Sequence, residues 1–196
     1  MSVVVAIKDG DAVWIGCDSQ VTTGYTKATL KLNKKIWKPE KDSEVVMGVV
    51  GAVRDLNILE TEEKWIDELT GMKNEVNYKY IVRSIVPNIF DVLRKYSRVQ
   101  NDKGIESIES NIVFAYKDKL FSINGDGSVI ESDDIVADGS GHRLCLGAWN
   151  SLKDKDISVK EKLVSVIKAA CESDLYVNYP IIIMNTKNNE VEVIDS

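Results

Sequence analysis

The first residue of this chain able to do chemistry is Ser2, directly behind the initiator methionine. Its side chain is small, so methionine aminopeptidase is expected to remove Met1 and leave Ser2 as the mature N-terminus. A free N-terminal serine holds its hydroxyl beside its own α-amine, which titrates at about 8, far below a lysine. That amine can serve as base for the hydroxyl, and the pair needs no histidine. The point matters because His142 is the single histidine in 196 residues, and one chain cannot build a site from two imidazoles. The three cysteines, Cys17, Cys145 and Cys171, are odd in number and form no C-x-x-C pair. A disulfide framework or a thiolate zinc site is therefore not expected, and neither a metal nor a cofactor is called for. Met-Ser is also a common start, and taken alone it reads as an ordinary terminus.

Strand and helix signals show what would have to position that serine. Ser2–Lys8 and Ala12–Cys17 flank Asp9-Gly10-Asp11 and read as a hairpin. Leu32–Trp37 and Glu44–Val50 read as a second pair around Pro39–Ser43. Ser2–Lys8 and Val45–Val50 lack alternation, which predicts strands covered on both faces. Helical periodicity follows in Val53–Leu69 and Asn77–Tyr96, with Pro87 expected to kink or interrupt the second. Strands return at Ser110–Tyr116, Leu120–Asn124 and Ser128–Ser132, and a Gly139-Ser140-Gly141 turn leads into helices Arg143–Leu152 and Val159–Cys171. Ser158 with Glu161 forms a capping-box signature for the last of these. Tyr179–Thr186 and Glu190–Ile194 close the chain as a hairpin. Two sheets packed face to face between two helical layers satisfy this order, an α+β fold of the four-layer αββα kind.

Composition narrows the class. With 44% hydrophobic and 29% charged residues the chain has material for a core, and 196 residues without a linker suit one domain over 1–196. Asp plus Glu (31) exceed Lys plus Arg (25), and the net charge of −6 argues against nucleic acid as partner. The apolar runs Val45–Val50 and Ile181–Met184 are far too short to span a membrane. No charged segment followed by an apolar stretch opens the chain, so a cytoplasmic protein is expected.

Five motifs in register carry a resemblance. Gly16-Cys17-Asp18-Ser19-Gln20-Val21-Thr22-Thr23-Gly24 resembles the segment after the second strand of proteasome β-type subunits, and Asp18 lies sixteen positions after Ser2, as in that family. Lys34-Lys35-Ile36 is similar to its Lys-Lys-(Val/Ile), and Val50-Gly51-Ala52-Val53-Arg54-Asp55 to its Ala-Gly-Gly-x-Ala-Asp at a helix start. Val136-Ala137-Asp138-Gly139-Ser140-Gly141 resembles the family's Ile-Gly-Ser-Gly turn, and Glu172-Ser173-Asp174-Leu175-Tyr176-Val177 its Asp-x-x-Ser after a helix. The resemblance is to the proteasome β/HslV type of N-terminal-nucleophile hydrolase, leaning toward HslV.

That resemblance implies a threonine-type peptidase with Ser2 as nucleophile, Asp18 and Lys35 as a supporting charge pair, and the Gly51 N–H as oxyanion donor. It implies Ser140 and Asp174 beside the terminus, and Gln20, Val21, Thr22, Val49 and Val53 lining the substrate site. Lys34 competes with Lys35, because the loop before the pair is one residue longer than in the family. A polypeptide substrate, self-association into a ring and an ATP-dependent unfoldase partner are likewise implied. The chain departs from the pattern at Ser2 (usually Thr), Ala52 (usually Gly), His142-Arg143 (usually small residues) and Val177 (usually Ser). Two other readings stand beside the peptidase: an inactive proteasome-like scaffold subunit, and an amidohydrolase acting on a small amide. Residue by residue, Asp18-Ser19 can be a strand-end turn and Gly139–Gly141 a turn with a helix cap. His142 reads as a surface residue, and Cys17 as a small buried hydrophobe.

Overall fold

Val3 to Ile7 are apolar at every position, so a strand made from them has no face to offer water. The computed structural model, which describes residues 2–30, 34–40, 43–62, 65 and 76–195, buries both of its faces. β1 (Val3–Asp9) turns at Gly10 (φ 59°) into the antiparallel β2 (Ala12–Cys17), as Asp9-Gly10 foretells. Val4 and Ala6 enter the layer between the two sheets, whereas Val3, Val5 and Ile7 pack against helices. β3 (Gln20–Thr23) and β4 (Thr26–Thr29) form a ribbon of their own, turning at Gly24 and the fully exposed Tyr25.

β5 (Ile36–Trp37) pairs with β6 (Val45–Val50), whose six residues are all buried. Its Val46 and Val50 join the inter-sheet layer while Val45, Met47 and Val49 face the opposite helical layer. That layer holds α1 (Val53–Thr61), α2 (Tyr78–Tyr80) and α3 (Val86–Lys95). Then come a hairpin of β7 (Gln100–Asp102) and β8 (Ile105–Ser107), and the strands β9 (Asn111–Tyr116), β10 (Lys119–Ile123), β11 (Val129–Ser132) and β12 (Ile135–Gly139). α4 (His142–Leu152) and α5 (Val159–Ser173) precede the closing pair β13 (Ile181–Asn185) and β14 (Glu192–Ile194). One sheet runs β12-β1-β2-β13-β14 and the other β11-β10-β9-β6-β5, antiparallel throughout. α4 and α5 cover the first, α1 to α3 the second. This is the αββα sandwich expected from the sequence.

Several boundaries differ for physical reasons. The helix expected over Val53–Leu69 is interrupted after Thr61, where Glu62 turns extended (ψ 101°); Trp65 is helical again and buried, and residues 63, 64 and 66–69 lie outside the described residues. Pro87 sits in the first turn of α3, and a widened turn at Ile81–Ile85 precedes it, joining α2 to α3. A proline lacks the N–H an α-helical interior needs, and a wider turn accommodates that loss. The expected strand Leu32–Trp37 contracts to Ile36–Trp37; of its earlier residues, 32 and 33 lie outside the described residues, Lys34 is irregular and Lys35 forms a bend. Ser158 and Glu161 make the expected capping box, with Ser158 N–H to Glu161 Oε2 at 2.9 Å and Glu161 N–H to Ser158 Oγ at 3.2 Å.

Candidate active site

Ser2 stands at the head of β1, buried at 6% exposure, and the strands on either side hold it. On one side β2 delivers Asp18 just past its end. The Asp18 carboxylate has no exposed surface and collects three backbone donors: Val3 N–H on Oδ1 (2.9 Å), and Gln20 and Asn178 N–H on Oδ2 (3.0 and 3.3 Å). Asp18 therefore ties the residue after Ser2 to the start of β3 and to the loop after α5. Its fourth partner is Lys35, whose Nζ lies 2.6 Å from Oδ1 and donates to the Gln20 carbonyl at 2.5 Å. Burying two ions is costly unless they are paired and their remaining hydrogen-bonding capacity is filled, which this arrangement does. The Lys35 carbonyl accepts the Val49 N–H (2.9 Å), so the bend that leads into β5 still registers the lysine against β6.

Of the two adjacent lysines only Lys35 enters this cluster. Lys34 lines a separate cavity with Trp37, Lys38 and Glu60, where burial pushes the Glu60 carboxyl up and Lys34 opposes the rise.

On the other side of β1 lies β12, a strand that the sequence marks only by the Gly139-Ser140-Gly141 turn at its end. Val3 pairs with Gly139, bringing Ser140 onto the terminus. Gly139 has φ 102°, and a Cβ there would stand 2.0 Å from the Ser2 carbonyl oxygen, so the close approach requires glycine. Ser140 Oγ has two acceptors for one proton, the Ser2 carbonyl at 3.4 Å and Asp174 Oδ1 at 3.3 Å. Asp174 Oδ1 also accepts the Tyr176 N–H at 2.7 Å. Val177, standing where the family has a serine, is buried and packs in the helix–sheet layer. His142 is half-buried rather than on the surface, with Nδ1 2.6 Å from the Gly139 carbonyl oxygen. Cys17 lies between the sheets, and burial pushes its thiol up to about 12, as suits an inert hydrophobe.

A cleft of about 40 Å³ opens beside Ser2, lined by Lys35, Gly51 and all five expected substrate-site residues, Gln20, Val21, Thr22, Val49 and Val53. Leu30, Ala52 and Leu56 complete it and were not anticipated, although Leu56 falls one turn after Val53 on the same helix face. Gln20 Nε2 donates to the Leu175 carbonyl (2.9 Å), linking the β3 wall to the loop that carries Asp174. Gly51 caps the cleft where β6 passes into α1, and its N–H has no hydrogen-bond partner among the described residues. Among those residues no group of three or more His, Cys, Asp or Glu is placed to hold a metal, and no helix is long and apolar enough to cross a membrane.

The chain as a whole is similar to known proteins. Residues 2–184 match the family model described as proteasome subunit. The ATP-dependent protease subunit HslV of Enterococcus faecalis is 30% identical over 180 residues, 90% of each chain. The same subunit of Pediococcus pentosaceus is 26% identical over 194 residues, 95% of each. Among solved structures, Thiobacillus denitrificans BPH in complex with epoxomicin matches with a TM-score of 0.73 at 17% identity, covering 99% of this chain and all of that one, a likeness of fold. The chain belongs to the proteasome subunit family, as an HslV-like member with the N-terminal-nucleophile hydrolase fold.

Proposed function

We propose that this chain is an N-terminal-serine peptidase subunit of a self-compartmentalised ring, cleaving peptide bonds through an acyl-enzyme in the cytoplasm. The observation that carries the reading is the buried Lys35–Asp18 pair, whose lysine lines the same cleft as Ser2 and Gly51. With Met1 removed, the Ser2 hydroxyl attacks the scissile carbonyl and its proton passes to the Ser2 α-amine. The Lys35 ammonium opposes a second positive charge nearby, which keeps a larger share of that amine as free base. Asp18 holds Lys35 in place. The Gly51 N–H stabilises the oxyanion as the tetrahedral intermediate forms; one such donor is worth roughly 3 kcal/mol. Collapse expels the amine product, which takes the proton back, and leaves an ester on Ser2. Water, deprotonated by the same α-amine, then hydrolyses the ester. Ser140 and Asp174 position the terminus.

The substrate is an extended polypeptide adding alongside Gln20, Val21 and Thr22 by backbone hydrogen bonds. Its side chain before the cut enters the cleft walled by Val49, Val53, Leu30 and Leu56, which favours small apolar residues. The HslV relatives are named as subunits of an ATP-dependent protease, and we extend to this chain both the ring and an ATP-dependent unfoldase partner.

Intact mass before and after incubation with a peptide epoxyketone tests the reading, because that adduct needs the hydroxyl and the free amine of one residue. Loss of Met1 and one stoichiometric adduct is expected. Retained Met1 without an adduct would overturn the peptidase reading and favour the scaffold subunit. Turnover of small amides by a species too small to enclose a chamber would favour the amidohydrolase.

A further inference from the structure

A second buried polar cluster lies behind the cleft, and no step above uses it. α1 begins without a cap of its own: Ala52 occupies the N-cap position and has no side-chain oxygen to offer. Ser110, just ahead of β9 and fully buried, supplies one from outside, its Oγ accepting the Ala52 N–H at 3.1 Å. The Ser110 hydroxyl in turn donates to Asp55 Oδ2 at 2.7 Å, and Arg98 Nε donates to Asp55 Oδ1 at 2.5 Å. Arg98 Nη2 also grips Glu109 at 2.7 Å. Asp55 has no exposed surface, and hydrogen bonding to it raises the Arg98 guanidinium further above its ordinary range. The proton directions follow from the donors. Arg98 only donates and Asp55 only accepts, so Ser110 points its proton at Asp55 and its lone pair at Ala52.

The same segment backs Gly51. This residue has φ 135°, in the region open essentially to glycine alone, and a Cβ on it would lie 2.6 Å from the Glu109 carbonyl oxygen and 2.7 Å from Ser110 Cα and Oγ. Gly51 is thus pressed against Glu109–Ser110 on the side away from the cleft, and its neighbour Ala52 is tethered to Ser110. Arg98 clamps Asp55 on α1 and Glu109 on that backing segment.

We propose that Ser110, Asp55 and Arg98 are positioning residues that hold the Gly51–Ala52 backbone so that the Gly51 N–H faces the reacting carbonyl. The inference rests on the peptidase reading for its catalytic half; the anchoring half stands on geometry alone.

Two measurements on the assembled full-length protein separate the halves. Hydrogen–deuterium exchange, followed by mass spectrometry with fragmentation to single residues over Val50–Leu56, needs no activity. In Ser110→Ala the Ala52 amide should exchange at least about tenfold faster, while β1 and β2 keep their protection. Unchanged exchange at Ala52 would overturn the anchoring. Should Ser110→Ala fail to fold, the partly exposed Arg98 serves instead: Arg98→Gln should speed exchange and Arg98→Lys should not, and equal behaviour of the two would overturn the proposal. With a fluorogenic peptide, kcat in Ser110→Ala should fall about thirtyfold with KM within twofold, short of the hundredfold or more seen when an oxyanion donor is removed outright. Binding of a peptide boronate, whose adduct on the Ser2 hydroxyl is tetrahedral, should weaken by the same factor. A raised KM at constant kcat, or unchanged boronate binding, would overturn the catalytic half. Wild-type protein that neither turns over peptide nor takes the epoxyketone would overturn the peptidase reading and that half together, leaving exchange to judge the anchor.

Discussion

Consider removing the Lys35 charge while keeping its bulk, by Lys35→Met. Asp18 then stays buried with its three backbone N–H donors at 2.9, 3.0 and 3.3 Å but with no cation. Breaking a buried ion pair from one side costs about 3–5 kcal/mol, and the three surviving donors place this variant near the low end, about 3 kcal/mol. Asp18→Asn is harsher, about 4 kcal/mol. The Lys35 ammonium, 4% exposed, keeps only the Gln20 carbonyl as a full partner, and the new amide NH2 must face backbone donors. The double variant strands neither charge, so its cost should be about 3–4 kcal/mol rather than the sum of about 7, a coupling of about 3–4 kcal/mol. Urea unfolding at one fixed protein concentration measures this, since assembly adds to apparent stability. With a slope of about 2 kcal/mol/M, the single variants shift the midpoint by roughly 1.5 and 2 M. A double variant whose midpoint falls by the sum of the two shifts would refute the coupling, and with it the account of why both ions are tolerated in the core.

Other consequences are as direct. Gly139→Ala places a Cβ against the Ser2 carbonyl, so epoxyketone labelling should slow about a hundredfold with far-UV circular dichroism unchanged; labelling at the wild-type rate would remove that contact from the account. Burial pushes the thiols of Cys17, Cys145 and Cys171 up to about 12 from 9.0, which cuts the thiolate fraction at pH 8 roughly a thousandfold. Cys17 and Cys145 should resist iodoacetamide until the protein is denatured, and rapid native labelling at either would contradict their packing. The sign of the linkage is equally fixed. These raised pKa values stabilise the fold fully below about pH 9, and the contribution is lost as pH climbs from there toward 12, so urea midpoints should decline over that range. Ser158→Ala removes the capping box of α5 and should cost about 1 kcal/mol in the same unfolding assay, without touching kcat.

The layers of the fold were legible because β1 and β6 carry unbroken apolar runs, while α3 and α5 carry apolar stripes at helical spacing. β12 was not, since Ile135-Val136-Ala137 is a short run that ends in Asp-Gly and shows neither continuity nor alternation. Its identity as a strand depends on pairing with β1, which no local signal encodes. The β3–β4 ribbon escaped full reading for a related reason: β4 is exposed at all four positions, so no hydrophobic pattern marks it. Within the site, the motif register placed Asp18, Gly51, Ser140 and Asp174, whereas Lys34 and Lys35 are identical in type and adjacent. Only the bend at Lys35, just ahead of β5, decides which of them faces Asp18. Arg98 is beyond any local reading, because it reaches Asp55 across 43 positions of sequence through the packing of a loop on α1.

Ser2 leads directly into β1, a strand flanked by β12 and β2, and the N–H of the next residue, Val3, is seated on a buried carboxylate. Ser2 is buried, its carbonyl is held by Ser140 and the residue after it is locked between two strands, so its placement is inherited from the sheet rather than loose as a tail. The practical corollary concerns handling. A purification handle or fluorophore fused directly ahead of Ser2 would adjoin the cleft, whereas Asp195 is exposed beyond the edge strand β14, three strands from β1.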